Sequence, residues 1–161
     1  MKKEKRLVRA SLMAALCFVM TWVIQIPAPQ GYVNLGDCAV LLAGWFLGPW
    51  WGGAAAAVGS TLVDVLGPYA IYAPATVIIK FAMAALAALL CRRRHTMGGM
   101  VLGAVAGILV MVGGYFFYES VILGFGLGAV ASIPFNMVQG LMGGIGAVCV
   151  GALMRRSGAM K

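Results

Sequence analysis

The chain has 161 residues, of which 63% are hydrophobic and only 10% are charged, and its mean hydropathy is +0.99. Soluble domains carry about 25% charged residues, so the composition excludes an ordinary water-soluble domain. A bilayer requires the backbone to satisfy its hydrogen bonds internally, and the long, unalternating apolar runs favour helices over a closed barrel. We therefore predict an all-α membrane protein that forms a single domain over residues 1–161.

The net charge of +8 comes mainly from basic residues at the ends of apolar runs. They form three clusters: Lys2, Lys3, Lys5, Arg6 and Arg9; Arg92, Arg93 and Arg94; and Arg155, Arg156 and Lys161. Basic loops of membrane proteins remain cytoplasmic, so each cluster is predicted on the inner side. Aromatic residues are not interleaved with the basic ones, which argues against a nucleic-acid partner.

Six transmembrane helices are predicted from the apolar runs and the residues that interrupt them. Pro27 and Pro29 end the first run, which is long enough to cross a bilayer. Asp37 is a plausible N-cap for the second helix, and Gly48-Pro49 separates that helix from the third. The predicted helices cover residues 7–26, 38–47, 50–66, 74–91, 97–118 and 131–153.

An even number of crossings places all three basic clusters on the same side. We therefore predict a multi-pass protein of the cell membrane with both termini in the cytoplasm. The second predicted helix is too short to span alone, and a re-entrant pair made of the second and third helices would give the same parity.

Motifs for enzymes and for metal binding are absent from the sequence. It contains no phosphate-binding loop and no HExxH motif, and its four cysteines form no CxxC pair. The single histidine, His95, follows three arginines, a poor position for a metal ligand. We expect no enzymatic activity, no metal and no cofactor, so the energy for any pumping would come from a partner.

Several polar residues interrupt the apolar segments, and the predicted topology places all of them toward the outer ends of the helices. A charge at membrane depth costs at least about 2.5 kcal/mol and usually faces a cavity or a partner. Two of these residues, Asn136 and Gln139, share one helix face at a spacing of three. The candidate substrate-binding residues are Asn34, Asp37, Asp64, Tyr72, Lys80, Glu119, Asn136 and Gln139.

Carboxylates, amides, one ammonium and aromatic rings together predict a pocket for a small, planar, polar ligand. The carboxylates would accept hydrogen bonds, Lys80 would orient the ligand and Tyr72 would stack on it. Three carboxylates against one ammonium favour a pyrimidine or pyridine compound over an acidic one. The structural alternative is that Asp64 and Lys80 form an ion pair between helices, or that Lys80 reaches the interface and Glu119 ends in water.

Two segments of the sequence resemble a known family. GYVNLGD at residues 31–37 and FLGPWWGGAAAAVGSTLVDVLGPYAIYAPATVIIK at residues 46–80 are similar to the substrate-binding S components of energy-coupling factor (ECF) vitamin transporters. The likeness is to the branch with riboflavin-type, hydroxymethylpyrimidine-type and pyridoxine-type members. The region around Glu119 departs from the relatives, which weakens its assignment as a ligand contact.

The resemblance implies a six-helix subunit that captures a water-soluble vitamin or precursor, such as riboflavin, hydroxymethylpyrimidine, pyridoxine or thiamine, from outside the cell. It also implies docking on a membrane T component driven by two cytoplasmic ATPase subunits. Family members dock through an AxxxA face on the first helix, which matches Ala10 and Ala14 here.

Two other classes of function remain open from the sequence. One is a self-contained, homo-oligomeric small transporter or channel with Asp64 and Lys80 in an ion path. The other is a structural or assembly subunit whose buried charges only pair helices.

Overall fold

The computed structural model of the chain describes residues 3–91 and 96–158. Within these ranges, five helices are long and apolar enough to cross a membrane. Their bounds are α1 Lys3–Val23, α2 Gly36–Leu66, α3 Ala73–Leu90, α4 Met97–Phe117 and α5 Ile133–Arg156. Lys2, Lys161, the arginine cluster at 92–94 and His95 lie outside the described residues, so the side of the membrane assigned to them stays a prediction.

The predicted count of six helices is not confirmed, because the second and third predicted helices are joined in α2. Gly48 breaks this element with φ 81° and ψ 178°, a backbone conformation that is essentially restricted to glycine. An added Cβ on Gly52 would lie 2.7 Å from the Cα of Gly44. Residues eight apart in a straight helix are separated by about 12 Å, so the two halves of α2 lie side by side.

This reversal brings the two ends of α2 together. In a straight helix Asp37 and Asp64 would be about 40 Å apart. Instead, Asp37 pairs with Lys80 of α3, and Asp64 accepts a hydrogen bond from Thr76, which precedes Lys80 by one turn of the same helix. Both carboxylates therefore lie at the same end of the bundle.

The segment between α1 and α2 is a short hairpin. Strand β1 (Ile26–Pro27) pairs antiparallel with β2 (Tyr32–Val33), so α1 ends at Val23 rather than at residue 26 as predicted. Gly31 has φ 97° and permits the turn between the strands. Asp37 is not the N-cap of α2, because Leu35 occupies that position and the Asp37 carboxylate is used elsewhere.

Short helical turns join the remaining helices. A 3-10 turn at Ala70–Tyr72 precedes α3, and a second at Gly126–Ser132 precedes α5, which therefore begins two residues later than predicted. The end of α4 continues into a π-helical turn at Tyr118–Ile122. Such turns often occur at functional sites, and this one carries Glu119.

Small residues allow the helix backbones to touch. An added Cβ on Gly103 of α4 would lie 2.9 Å from the Ala87 carbonyl oxygen of α3. An added Cβ on Gly44 would lie even closer to the Ala84 carbonyl oxygen of α3. Close backbone approach of this kind is typical of helices that associate in lipid, where apolar side chains give no hydrophobic drive. It holds the bundle together and fixes the positions of the polar side chains at its end.

Candidate functional site

A cavity of about 440 Å³, including the part open to solvent, lies where the hairpin and helices α1 to α5 meet. Its lining is strongly polar for a protein of this composition. The lining residues are Thr21, Gln30, Gly31, Tyr32, Asn34, Ser60, Asp64, Tyr72, Thr76, Lys80, Tyr115, Glu119, Asn136 and Gln139.

A buried ion pair lies at one wall of the cavity. The Lys80 ammonium bonds to Asp37, and the side chains of the two residues are 5% and 0% exposed. The same ammonium lies 3.4 Å from the Met111 sulfur and 5.6 Å from the centre of the Tyr115 ring. The cation is therefore in direct contact with Asp37 and with neither Asp64 nor Glu119.

Two amides hold this ion pair in place. Gln139 Nε2 donates to the second oxygen of Asp37 at 2.9 Å. Gln139 Oε1 accepts from the backbone N–H of Asn34 at 3.0 Å and from its Nδ2 at 3.1 Å. Asn34 Oδ1 in turn accepts from the backbone N–H of Gly36 at 2.8 Å. The amides of Asn34 and Gln139 are thus largely used within the protein and join the hairpin to α5.

Among the residues that the structure describes, Asp64 contacts only neutral hydrogen-bond donors. It accepts from the Tyr32 hydroxyl at 2.8 Å and from the Thr76 hydroxyl at 2.5 Å, and Thr76 lies 3.0 Å from the Tyr115 hydroxyl. Burial, together with the nearby charge of Asp64, raises the pKa of the Tyr32 phenol above its ordinary value. Tyr32 therefore remains a hydrogen-bond donor to Asp64 at neutral pH.

Glu119 is the second carboxylate that contacts no cation among the described residues. It is 1% exposed, so the alternative in which it ends in water is wrong. The Ser132 hydroxyl donates to it, and the Tyr72 hydroxyl also bonds to it. Asp64 and Glu119 therefore give the cavity an excess of negative charge and of acceptor oxygens, which suits a ligand rich in N–H or O–H donors.

Three tyrosines, Tyr32, Tyr72 and Tyr115, line the cavity, and each has another tyrosine ring beside it. Tyr32 and Tyr69 have ring centroids 4.7 Å apart, and the Tyr72 ring lies 6.4 Å from Tyr115 and 6.1 Å from Tyr118. Aromatic faces of this kind suit a planar ligand. The combination of rings with acceptor oxygens agrees with the kind of pocket predicted from the sequence.

The structure brings the predicted site residues into one place. All of them line the cavity except Asp37, which lies behind Lys80 as its ion-pair partner. The alternative ion pair between Asp64 and Lys80 is not formed. Lys80 is 4% exposed, so it does not reach the interface either.

Seven lining residues lie outside the predicted set of substrate-binding residues: Thr21, Gln30, Gly31, Tyr32, Ser60, Thr76 and Tyr115. A signal for three of them was present. Ser60, Thr76 and Tyr115 each precede a charged residue of the site by four positions, namely Asp64, Lys80 and Glu119. Residues at that spacing share a helix face, so each should face the same cavity as its charged neighbour.

The predicted docking residues lie partly inside the protein. Ala10 is buried. Ala14 packs closely on α2, since a Cβ added to Gly59 would collide with the Ala14 carbonyl oxygen. The neighbouring small residues Ser11 and Ala15 are exposed. The stripe of small residues on α1 therefore packs against α2 along one edge and is open along the other.

The fold and the cavity define a class: a multi-helix membrane protein with a buried, polar site for a small molecule. No group of three or more potential metal ligands occurs in residues 3–91 and 96–158. The model of the family described as the ECF-type riboflavin transporter, S component, matches residues 1–156. The chain belongs to this family, which confirms the resemblance, and it is a substrate-binding subunit of a vitamin transporter rather than an enzyme.

Two individual comparisons agree with this assignment. The chain is 40% identical over 120 residues to an uncharacterized protein in the gap 3′ region of Pyrococcus woesei, covering 74% of this chain and 80% of that protein. It is also similar to a solved structure described as the S component of a bacterial ECF transporter. That likeness has a TM-score of 0.67 and 25% identity, and it covers 98% of this chain and 97% of the other.

Proposed function

We propose that this chain captures a water-soluble vitamin or vitamin precursor in the cavity between the hairpin and the helix ends. The observation that carries the proposal is the pair of buried carboxylates, Asp64 and Glu119, which contact only neutral donors among the described residues. Buried charges normally have a partner, and a ligand with several N–H or O–H groups supplies one.

Riboflavin is the first ligand to test, because the family takes its name from riboflavin transport. Its flat, neutral ring has an imide N–H that suits an acceptor carboxylate, and its planarity suits the tyrosine faces. The excess negative charge also supports a second ligand class, an aminopyrimidine or pyridine that carries a positive charge. An anionic ligand would place like charges together in a low-dielectric site, where repulsion is strong.

Binding is tested by titrating the purified protein with riboflavin, hydroxymethylpyrimidine, pyridoxine and thiamine in a calorimeter. We expect one ligand to bind, and we expect Asp64→Ala and Lys80→Ala to abolish its binding while the melting temperature shows a folded protein. Glu4→Ala is the matched control, because Glu4 is the acidic residue that lies outside the site, on the exposed start of α1. Unchanged affinity in Asp64→Ala contradicts the proposed site.

We propose further that the chain crosses the membrane six times with both termini in the cytoplasm, counting the two halves of α2 separately. The cavity would then open to the outside. Cysteine labelling from either side of the membrane tests this arrangement. Gly128 lies beside the cavity, so an impermeant reagent should modify Gly128→Cys from the outside. Modification only from the inside would contradict this arrangement.

Transport would require a T component and two ATPase subunits, as the resemblance implies. The docking face would include Ala10 and Ala14 and would extend over the exposed Ser11 and Ala15. Ala15→Trp should abolish co-purification of the T component while ligand binding persists. Leu109→Trp, at an exposed apolar position of α4, is the control.

If the T component still co-purifies with Ala15→Trp, the proposal that it docks on this face of α1 is wrong. A self-contained transporter, the alternative from the sequence, would instead move the vitamin into liposomes without any partner.

A further inference from the structure

The exposed charges of the described residues lie on the first turns of α1 and the last turn of α5. Six of them are basic and one is acidic: Lys3, Lys5, Arg6, Arg9, Arg155 and Arg156 against Glu4. Within residues 3–91 and 96–158, none of the six basic side chains forms an ion pair. The other carboxylates of the chain are buried. These two helix ends therefore present a large excess of positive charge.

The basic residues of α1 lie at the depth of the reversal in α2. The hairpin and the break at Gly48 each reverse the chain, so α1 and the second half of α2 run in the same direction. The two helices touch where a Cβ added to Gly59 would collide with the Ala14 carbonyl oxygen. Arg6 precedes Ala14 by eight residues, and Trp51 precedes Gly59 by eight. Eight residues rise about 12 Å in either helix, so Arg6 and Trp51 lie at one level, close to Gly48.

The basic residues of α5 lie at the same depth. Gly143 of α5 packs on Asp37, and Gly151 packs on the ring of Trp45, so α5 runs alongside the first half of α2 in the same direction. Arg155 lies four residues beyond Gly151, and the break in α2 lies three residues beyond Trp45. Both groups of basic side chains therefore lie beside the reversal, at the end of the bundle away from the cavity.

An exposed tryptophan marks this level as a membrane interface. Trp50 is 76% exposed and follows the break at Gly48 by two residues. Tryptophan is enriched where the hydrocarbon core meets the lipid headgroups. Exposed apolar side chains begin directly next to the basic ones, with Leu7 on α1 and Leu153 on α5. The basic side chains therefore lie at the depth of the headgroups.

Two stripes of different chemistry run along α1. The proposed docking face consists of small residues: Ala10, Ser11, Ala14 and Ala15. The second stripe has spacings of four, three and four and contains exposed residues only: Lys5, Arg9, Leu12 and Leu16. At about 100° per residue, the mean directions of the two stripes differ by roughly 160° around the helix axis. The second stripe therefore stays open to lipid when a partner occupies the docking face.

The second stripe has the polarity of a phospholipid. Its Lys5 and Arg9 lie at headgroup depth, and both side chains form charge-assisted hydrogen bonds with phosphate. Leu12 and Leu16, which are 65% and 40% exposed, continue the same face into the hydrocarbon region. A ligand that matches the whole stripe has an anionic head and an apolar chain, whereas an acidic protein surface would match its first two residues only.

We propose that the stripe Lys5, Arg9, Leu12 and Leu16 binds an anionic phospholipid, with the headgroup phosphate at the two basic residues and an acyl chain along the two leucines. This site lies at the opposite end of the bundle from the cavity and does not depend on vitamin capture. A zwitterionic headgroup carries its own cation, so the stripe should select against it. Each basic side chain near an anionic surface contributes roughly fivefold in affinity.

The experiment measures which lipids stay bound to the purified protein. The protein is equilibrated in detergent micelles with equal amounts of phosphatidylglycerol and phosphatidylcholine, and native mass spectrometry counts the bound molecules of each. We expect phosphatidylglycerol to be retained in preference. Lys5→Gln and Arg9→Gln should each lower its affinity by roughly fivefold and the double variant by more, with phosphatidylcholine unchanged.

Two further variants control for net charge and for folding. Glu4→Gln changes the charge of the same helical turn by one unit in the same region but in the opposite sense, and it should not reduce retention of phosphatidylglycerol. Exchanging the two basic residues, Lys5→Arg with Arg9→Lys, keeps both charges and should keep the preference. The substituted side chains are exposed, so all variants should melt at the temperature of the unaltered protein in phosphatidylcholine.

The outcomes separate the possible occupants of this stripe. Loss of the phosphatidylglycerol preference in the double variant, with vitamin affinity unchanged, supports the lipid site. No preference in the unaltered protein, or an unchanged preference in the double variant, overturns it. If the double variant keeps the lipid preference but no longer co-purifies with the T component, the basic residues bind an acidic protein surface and the lipid site is wrong.

Discussion

Replacing Lys80 with methionine removes the cation from the buried ion pair but keeps a side chain of similar length. The Asp37 carboxylate, whose side chain is 0% exposed, then retains only the hydrogen bond from Gln139. Removing one partner of a buried pair costs about 3–5 kcal/mol. The remaining amide offsets part of this cost, so we expect a loss of about 3 kcal/mol in the free energy of unfolding.

The matched variant is the double substitution Asp37→Asn with Lys80→Met, which removes both charges. Its asparagine oxygen still accepts from Gln139, so no uncompensated charge remains in the core. We expect it to be about 2 kcal/mol more stable than Lys80→Met, since replacing a buried ion pair by neutral groups is often close to neutral. Lys5→Met, on the exposed start of α1, should have no effect.

Thermal melting followed by tryptophan fluorescence measures these differences, because the chain contains four tryptophans. At about 2–4 °C per kcal/mol for a chain of this size, Lys80→Met should melt roughly 6–12 °C below the unaltered protein. The double variant should recover roughly 4–8 °C of that loss. A double variant that melts no higher than Lys80→Met would refute the claim that an unpaired Asp37 causes the instability.

Three further substitutions test other parts of the structure. Asp64→Asn should weaken vitamin binding about tenfold, because a neutral acceptor replaces a charged one. It should also raise the melting temperature, since a buried charge is removed. A fall in both the affinity and the melting temperature would contradict the role of Asp64 as a buried, charged ligand contact. Gly36→Ala should reduce vitamin affinity, since the added Cβ would collide with the Thr21 oxygen. Gly98→Ala should leave the affinity unchanged, because nothing lies near the added Cβ. Calorimetric titration of the two variants measures this difference. Gly48→Ala should cost about 1–3 kcal/mol of stability through backbone strain, and melting at the unaltered temperature would show that the break tolerates a side chain.

The sequence predicted the apolar segments well, because lipid leaves few choices for a chain of this composition. Glycine and proline also marked the break at Gly48-Pro49, which the structure shows as a change of direction within α2. Helix ends were less predictable. Ile24 and Ile26 are apolar enough to continue a membrane helix, yet Ile26 pairs with Val33 in the hairpin, and only the partner strand reveals this.

Much of the candidate site was also predictable, since polar residues in apolar helices stand out in the sequence. Their pairing was not. The alternative drawn from the sequence paired Lys80 with Asp64, its nearer neighbour in sequence. Lys80 pairs with Asp37 instead, because the reversal in α2 brings the start of that element against α3. Uncharged hydroxyls such as Thr21 were missed, since threonine and serine are common in membrane helices and carry no charge to mark them.

The backbone contacts between helices have a consequence for how this protein tolerates change. Gly44 touches the Ala84 carbonyl and Gly59 touches the Ala14 carbonyl, so a single added methyl group at either glycine must move a whole helix. The helices are stiff, and a displacement at mid-depth is carried to their ends. Substitutions at these glycines, which touch no ligand, should therefore alter selectivity as strongly as substitutions in the pocket itself.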